Sequence, residues 1–379
     1  MNNFSKIMTI VGTRPEIIRL SRVIAKLNKY TDHILVHTGQ NYDYELNKIF
    51  FDDFELNEPH HYLNSAGETV GETIARIIQK SDEILRKVKP DALLVLGDTN
   101  SCLSVIPAKR LKIPVFHMEA GNRCFDQRVP EEINRKIVDH TADINLPYSD
   151  IAREYLIREG LQPDRIIKTG SPMFEVINYN MKKIHQSCIM KNFSLEKDKY
   201  FVVSSHREEN VDDPIRIKKL ASILNLIAEK YELPIIMSTH PRTRKRIEEN
   251  RLILNDLINL SPPLGFSDYI KLQINAKLVL SDSGTITEES SILKFPALNI
   301  RESHERPEGM EEGSVIMCGL EKERVLEAVD ISIKQCFDGE FNLITPHDYT
   351  IPNVSDKVVR IILSYIDYIN SNVWKKHQL

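Results

Sequence analysis

Short apolar strands alternate with amphipathic helices through the first half of this chain, and the same alternation restarts in the second half; no other feature limits the fold as much. In the first half the candidate strands are residues 6–11, 33–37, 91–96, 114–118 and 143–146, and 71–88 and 100–111 carry apolar residues at helical spacing. The second half supplies strands at 200–205, 233–238, 257–260, 277–281 and 297–300. Such alternation predicts an α/β protein with parallel sheets covered by helices on both faces. At 379 residues the chain is longer than one hydrophobic core usually serves, so two Rossmann-like domains facing a cleft are expected. The first runs over 1–175 and the second over 176–355, with a hinge between about 169 and 199, where 178–199 is charged and polar. Residues 356–370 read as a terminal helix with apolar residues Val358, Val359, Ile362, Leu363 and Ile366, and the segment 356–379 is expected to join the first domain.

Composition narrows the function. Hydrophobic content of 41% and charge of 27% describe an ordinary globular protein, and a net charge of −4 argues against nucleic acid as the main partner. The five cysteines are scattered without a C-x-x-C pair, which predicts a reducing compartment and no structural zinc. The chain enters its first strand without a leader-like segment, and no apolar run approaches a membrane span; a cytoplasmic protein without membrane contact is the expectation.

The chemistry gathers at strand ends. Ser281-Asp282-Ser283-Gly284-Thr285-Ile286-Thr287-Glu288-Glu289 is a strand-to-helix turn, where Ser283 and Gly284 offer backbone N–H groups and a helix dipole to a phosphate. Glu289, about one turn further on, suits ribose hydroxyls. Gly12-Thr13-Arg14-Pro15-Glu16 follows the first strand, with Gly12 allowing a tight turn, Pro15 at the first helical position and Arg14 at the C-terminal edge of the sheet. Asp98 and Glu119 end apolar strands and Glu131 opens a helix; each either caps a helix or serves a ligand. His206 and His240, each followed closely by an arginine, end successive strands of the second half and suit a diphosphate. The dinucleotide fingerprint G-x-G-x-x-G, the Walker A sequence and D-x-D spacing are all missing, so the sequence predicts neither nicotinamide nor a metal-held diphosphate.

In this order, from about residue 6 to 330, Gly12-Thr13-Arg14-Pro15-Glu16, Gly97-Asp98-Thr99, Glu119-Ala120-Gly121, Pro130-Glu131-Glu132 with Asn134-Arg135, and His206-Arg207-Glu208-Glu209-Asn210 resemble the non-hydrolysing UDP-N-acetylglucosamine 2-epimerases. Asp282-Ser283-Gly284 with Glu288-Glu289, and Glu305-Arg306-Pro307-Glu308, resemble them too. The resemblance implies a GT-B-like fold, a homodimer, a UDP-sugar substrate and no cofactor, metal or nicotinamide. It implies that UDP is eliminated across C1–C2 and added back with the new C2 configuration. It assigns Asp98, Glu119 and Glu131 to proton transfer, with His206 in the catalytic set; Arg14, Arg135 and His206 position the sugar or stabilise diphosphate charge. Ser283, Gly284 and Glu289 would hold the β-phosphate and ribose, with His240 nearby.

Three departures lie in the first half. Arg19 stands at the motif's usual lysine and is counted among the substrate-binding residues; Gly39-Gln40-Asn41-Tyr42-Asp43-Tyr44 replaces a Q-H-R segment; and the loop through Cys124–Gln127 looks shorter. These resemble the branch that converts UDP-2-acetamido-2,6-dideoxy-L-talose to UDP-N-acetyl-L-fucosamine for capsule or O-antigen synthesis. The alternatives are a UDP-GlcNAc/UDP-ManNAc 2-epimerase, a GT-B glycosyltransferase, a hydrolysing epimerase and a nucleotide-sugar sensor.

Overall fold

Strand β1 (Lys6–Val11) is buried from Ile7 to Val11, as a central parallel strand covered on both faces must be. It belongs to a computed structural model in which residues 4–40, 50–205, 207–239, 241–337 and 343–376 are described. The chain divides into two units, Met1–Asn178 with Thr350–Leu379, and Tyr179–Tyr349. In the first, β1, β2 (Asp32–His37), β3 (His61–Tyr62), β4 (Ala92–Leu96), β5 (Val115–Met118) and β6 (Ile144–Leu146) pair in the order β3-β2-β1-β4-β5-β6, all parallel. In the second, β7 (Phe201–Ser204), β8 (Ile235–Ser238), β9 (Ile258–Ser261), β10 (Leu278–Ser281), β11 (Ala297–Asn299) and β12 (Ile316–Met317) pair as β12-β11-β10-β7-β8-β9, again all parallel. Read from either end, both are the doubly wound Rossmann order.

Packing follows the period of two along each strand. In the second unit, Phe201 and Val203 join one apolar layer with Leu280 and Leu298 under helices Pro214–Tyr231 and Lys322–Phe337. Tyr200 and Val202 point the other way, into a layer with Val279, Leu272 and Ile286. In the first unit, Met8, Ile10, Leu93 and Val95 pack with Ile84 and Leu85 of helix Val70–Val88.

Several expectations need adjustment. Strands β3 and β12 escaped the sequence reading because two residues carry no periodicity. The stretch 100–111 is a 3₁₀ turn, Asn100–Ser104, followed by helix Val105–Arg110. The polar-looking segment after residue 169 contains helix Met173–Gln186, whose Met173, Val176, Ile177 and Ile184 are buried while Lys182 and His185 are exposed. Terminal helix Val354–Asn372 lies on helix Arg14–Tyr30, with Asp356 2.8 Å from Lys26. Gly12 is needed for close approach rather than for a turn: a Cβ there would lie 2.4 Å from Thr38 Oγ1.

Candidate active site

In a doubly wound sheet the chain leaves the two central strands in opposite directions, which opens a crevice at their C-terminal ends. In the first unit those strands are β1 and β4, and Glu16 spans the gap between their loops. Helix Arg14–Tyr30 starts one residue earlier than expected, with Thr13 as N-cap and Glu16 at its third position. The Glu16 carboxylate accepts from Gly12 N–H (3.0 Å), Thr13 Oγ1 (2.8 Å) and, across the crevice, Ser101 Oγ (2.5 Å). Burial pushes its pKa up to about 7, against the pull of these donors. Nothing in the sequence reading singled out Glu16. A Thr-x-x-Glu capping box was the available signal, and it speaks only for the local contacts. Arg14, on the first turn of the same helix, lies over the Phe50 ring, 5.8 Å from its centroid.

Glu119 follows β5 with φ +64°, in the left-handed region where a side chain with a Cβ is strained by roughly 1–2 kcal/mol. Its buried carboxylate forms an ion pair with Arg19 and accepts from Asn122 Nδ2 at 3.1 Å. Below it, His117 ties the loop after β4 to helix Glu131–Thr141. Its Nε2 is 2.8 Å from the Gly97 carbonyl oxygen and its Nδ1 is 2.9 Å from Asp139. Asp139 also accepts from Gly121 N–H at 3.2 Å and from the fully buried Arg123 at 2.7 Å. Burial pushes the Asp139 carboxyl up, but His117 and Arg123 together hold it below its ordinary value. Gly121 cannot carry a side chain, since a Cβ would lie 2.3 Å from the Ala152 carbonyl oxygen.

Asp98, half-buried after β4, is gripped by Arg135 through Nε and Nη2, both at 2.8 Å. Arg135 also donates to the buried Glu132 at 2.8 Å. Glu132 is held below the ordinary carboxylate range, because Cys124 N–H and Arg135 outweigh its burial. Asn134 donates to the Asp98 carbonyl at 2.9 Å. Glu131 opens helix Glu131–Thr141 beside this cluster and is half-buried. The first unit therefore brings Asp98, Arg135, Glu119 and Arg19 to adjacent strand ends, linked through His117 and Glu16.

The second unit repeats the device at its own central pair, β7 and β10. Buried Asp282 accepts from Ser205 Oγ (2.9 Å), Arg207 N–H (3.1 Å) and Asn210 Nδ2 (3.1 Å), tying the loop after β7 to the turn after β10. Ser283 and Gly284 are half-buried before helix Ile286–Leu293, which begins one residue past its N-cap Thr285. Ser283 N–H donates to Ser281 Oγ at 3.1 Å, and a Cβ on Gly284 would stand 3.4 Å from Glu305. Glu289 is buried and accepts from Gln273 Nε2 at 2.8 Å, so one carboxylate edge is oriented by protein. The buried pairs Arg306–Glu288 (3.1 Å) and Arg301–Glu305 (2.8 Å) brace the same end of the sheet. His206, His240 and the stretch 41–44 lie outside the described residues. Among the described residues no three His, Cys, Asp or Glu side chains gather as a metal-ligating group, and no helix is long and apolar enough to cross a membrane.

A family model described as UDP-N-acetylglucosamine 2-epimerase matches residues 25–363. The fold superposes on a UDP-N-acetylglucosamine 2-epimerase from Rickettsia bellii with a TM-score of 0.92 and 53% identity, covering 98% of this chain and 100% of that one. It also superposes on the Methanocaldococcus jannaschii UDP-GlcNAc 2-epimerase in complex with UDP-GlcNAc and UDP, with a TM-score of 0.87 and 36% identity over 95% and 99% of the two chains. A UDP-2,3-diacetamido-2,3-dideoxy-D-glucuronate 2-epimerase from Pseudomonas aeruginosa is 32% identical over 86% of this chain and 92% of its own. The fold class is GT-B-like α/β.

Proposed function

We propose a substrate for this chain, which belongs to the UDP-N-acetylglucosamine 2-epimerase family and is a non-hydrolysing C2 epimerase of UDP-N-acetyl sugars: UDP-2-acetamido-2,6-dideoxy-L-talose, converted to UDP-N-acetyl-L-fucosamine. The observation that carries the choice is Arg19. It stands where the family motif has lysine, and its guanidinium pairs with Glu119 in the unit assigned to the sugar. A planar fork there presents the carboxylate differently from a lysine point charge. The departures fall in the first unit, whereas the strand-end turn assigned to the nucleotide keeps the family pattern, as a changed sugar on an unchanged nucleotide requires.

In this reading a carboxylate takes the C2 proton, the C1–O bond breaks, and its electron pair leaves with UDP, forming a 2-acetamidoglycal. A proton then reaches C2 from the other face as UDP returns to C1. Asp98, Glu119 and Glu131 carry the protons, with His206 in the same set. Arg14, Arg135 and Arg19 keep positive charge beside those carboxylates and the sugar. Ser283 and Gly284 take the β-phosphate and Glu289 the ribose, with His240 beside them. The proposal includes a homodimer and a cytoplasmic reaction that supplies surface-polysaccharide synthesis.

Comparison of kcat/KM for the 6-deoxy-L-talose-type sugar and for UDP-GlcNAc tests the substrate, because a polar pocket built for one sugar rejects the other by up to about 10⁴-fold. The second reading, a UDP-GlcNAc/UDP-ManNAc 2-epimerase, is favoured by the names of the Rickettsia and Methanocaldococcus proteins, and a preference for UDP-GlcNAc would establish it. Incubation in D₂O tests the reaction class: an epimerase returns intact nucleotide sugar deuterated at C2.

A further inference from the structure

Glu16 does one thing that a helix start does not need. Its bonds to Gly12 N–H and Thr13 Oγ1 hold the turn that leads into its own helix. Its other oxygen reaches Ser101, 85 residues away, and the Ser101 hydroxyl lies 2.6 Å from Thr99 Oγ1. The result is one hydrogen-bonded chain from the turn that carries Arg14 to the residue next to Asp98. It crosses the switch point of the sheet, where the loops after β1 and β4 part and no backbone ladder joins them. At 1% exposure, with both oxygens accepting from protein donors, the carboxylate has no surface to offer a substrate. An acid buried this deeply is unfavourable for the fold unless the bridge it makes is used.

We propose that Glu16 is a positioning residue that clamps the Arg14 turn to the Asp98 loop and so sets the spacing of the charged groups at the sugar end of the first unit. Asp282 stands at the matching crevice of the second sheet and joins its two loops in the same way. This inference rests on the epimerase reading, because the spacing matters only if Asp98 and Arg14 act on one substrate.

The test uses the full-length enzyme and whichever of the two UDP sugars gives the higher kcat/KM, in D₂O. E16Q keeps the side-chain length and removes the charge; S101A removes the link across the crevice together with the contact to Thr99, and it carries the test alone if E16Q does not fold. Each is expected to lower kcat on the order of 10-fold, the scale of one charge-assisted hydrogen bond, with KM within about 2-fold of wild type. Since both cut one link, the double variant is expected to be no slower than the slower single variant. The thermal midpoint of E16Q is expected not to fall, which separates positioning from mere support of the fold. Wild-type kcat in both single variants overturns the proposal, as do multiplicative losses in the double variant or kcat losses that track a falling midpoint. A wild-type enzyme that places no deuterium at C2 overturns the epimerase reading first; exchange by the wild type alongside unaffected variants overturns the clamp alone.

Discussion

A glutamate as buried as Glu16 binds its proton more tightly in the native state than in the unfolded chain, and this has a sign. With its pKa at about 7 in the fold against 4.5 ordinarily, the native state holds one proton more between those values, so its contribution to stability is lost as pH rises through that window. Gln mimics the protonated acid. E16Q should therefore match wild type near pH 4.5 and exceed it in unfolding free energy by up to about 3 kcal/mol above pH 7, measured by denaturant titration at several pH values. A constant difference across that range would show that the site tolerates the charge. Glu119 instead meets an opposite charge, the Arg19 guanidinium. Arg19→Met should lower kcat/KM by roughly 10-fold or more, and Arg19→Lys by less, because an ion pair that loses one partner leaves the other uncompensated. Wild-type kcat/KM in Arg19→Met would mean that the pairing does not matter to turnover. At this scale the sequence displayed Glu119 and Asp98 as suspicious because charges at apolar strand ends need a reason, and Arg19 only through the resemblance, as an arginine where the motif has lysine. Glu16 stayed hidden because a capping box explained it locally.

Elements distribute these residues, and β2 shows how a strand also stores a liability. It carries His33 and His37, whose pKa values burial pushes down to about 3 and about 4. His33 is settled as a neutral ring between Thr9 Oγ1 at 2.8 Å and Asn28 Oδ1 at 2.5 Å. A histidine with a depressed native pKa contributes stability that is present above about pH 6.5 and lost as pH falls, since the unfolded chain then takes up protons that the fold refuses. Each should cost about 2 kcal/mol of unfolding free energy on going from pH 7 to pH 5. Denaturant midpoints for wild type and His33→Asn at the two pH values check this, the variant losing correspondingly less. Helices, by contrast, were legible wherever apolar residues kept the 3.6-residue spacing. Helix Met173–Gln186 reads as linker from its sequence because polar and charged residues dominate the local composition.

For the whole molecule the proposed reading implies a division of labour, with the proton-transferring carboxylates in the first unit and the nucleotide turn with Glu289 in the second. Glu289→Ala should weaken UDP binding by about 1–3 kcal/mol in calorimetry, the scale of a hydrogen bond to a charged group, while Asp98→Asn should leave UDP affinity unchanged. Equal effects from both would undo the division. Strand–helix alternation, the restart at residue 200 and the strand-to-helix turn at Ser283 were readable because each is local: periodicity and turn chemistry are properties of neighbouring residues. The pairing of Arg19 with Glu119 across 100 residues, the bridge from Glu16 to Ser101 and the left-handed backbone of Glu119 were not. The two pairings depend on β1, β4 and β5 lying side by side, an adjacency set by strand order. The sequence by itself determined which elements form and which strand ends carry charge. Only the tertiary structure decided which charges meet, because contacts across a parallel sheet are made by crossover connections that leave no periodic trace in the chain.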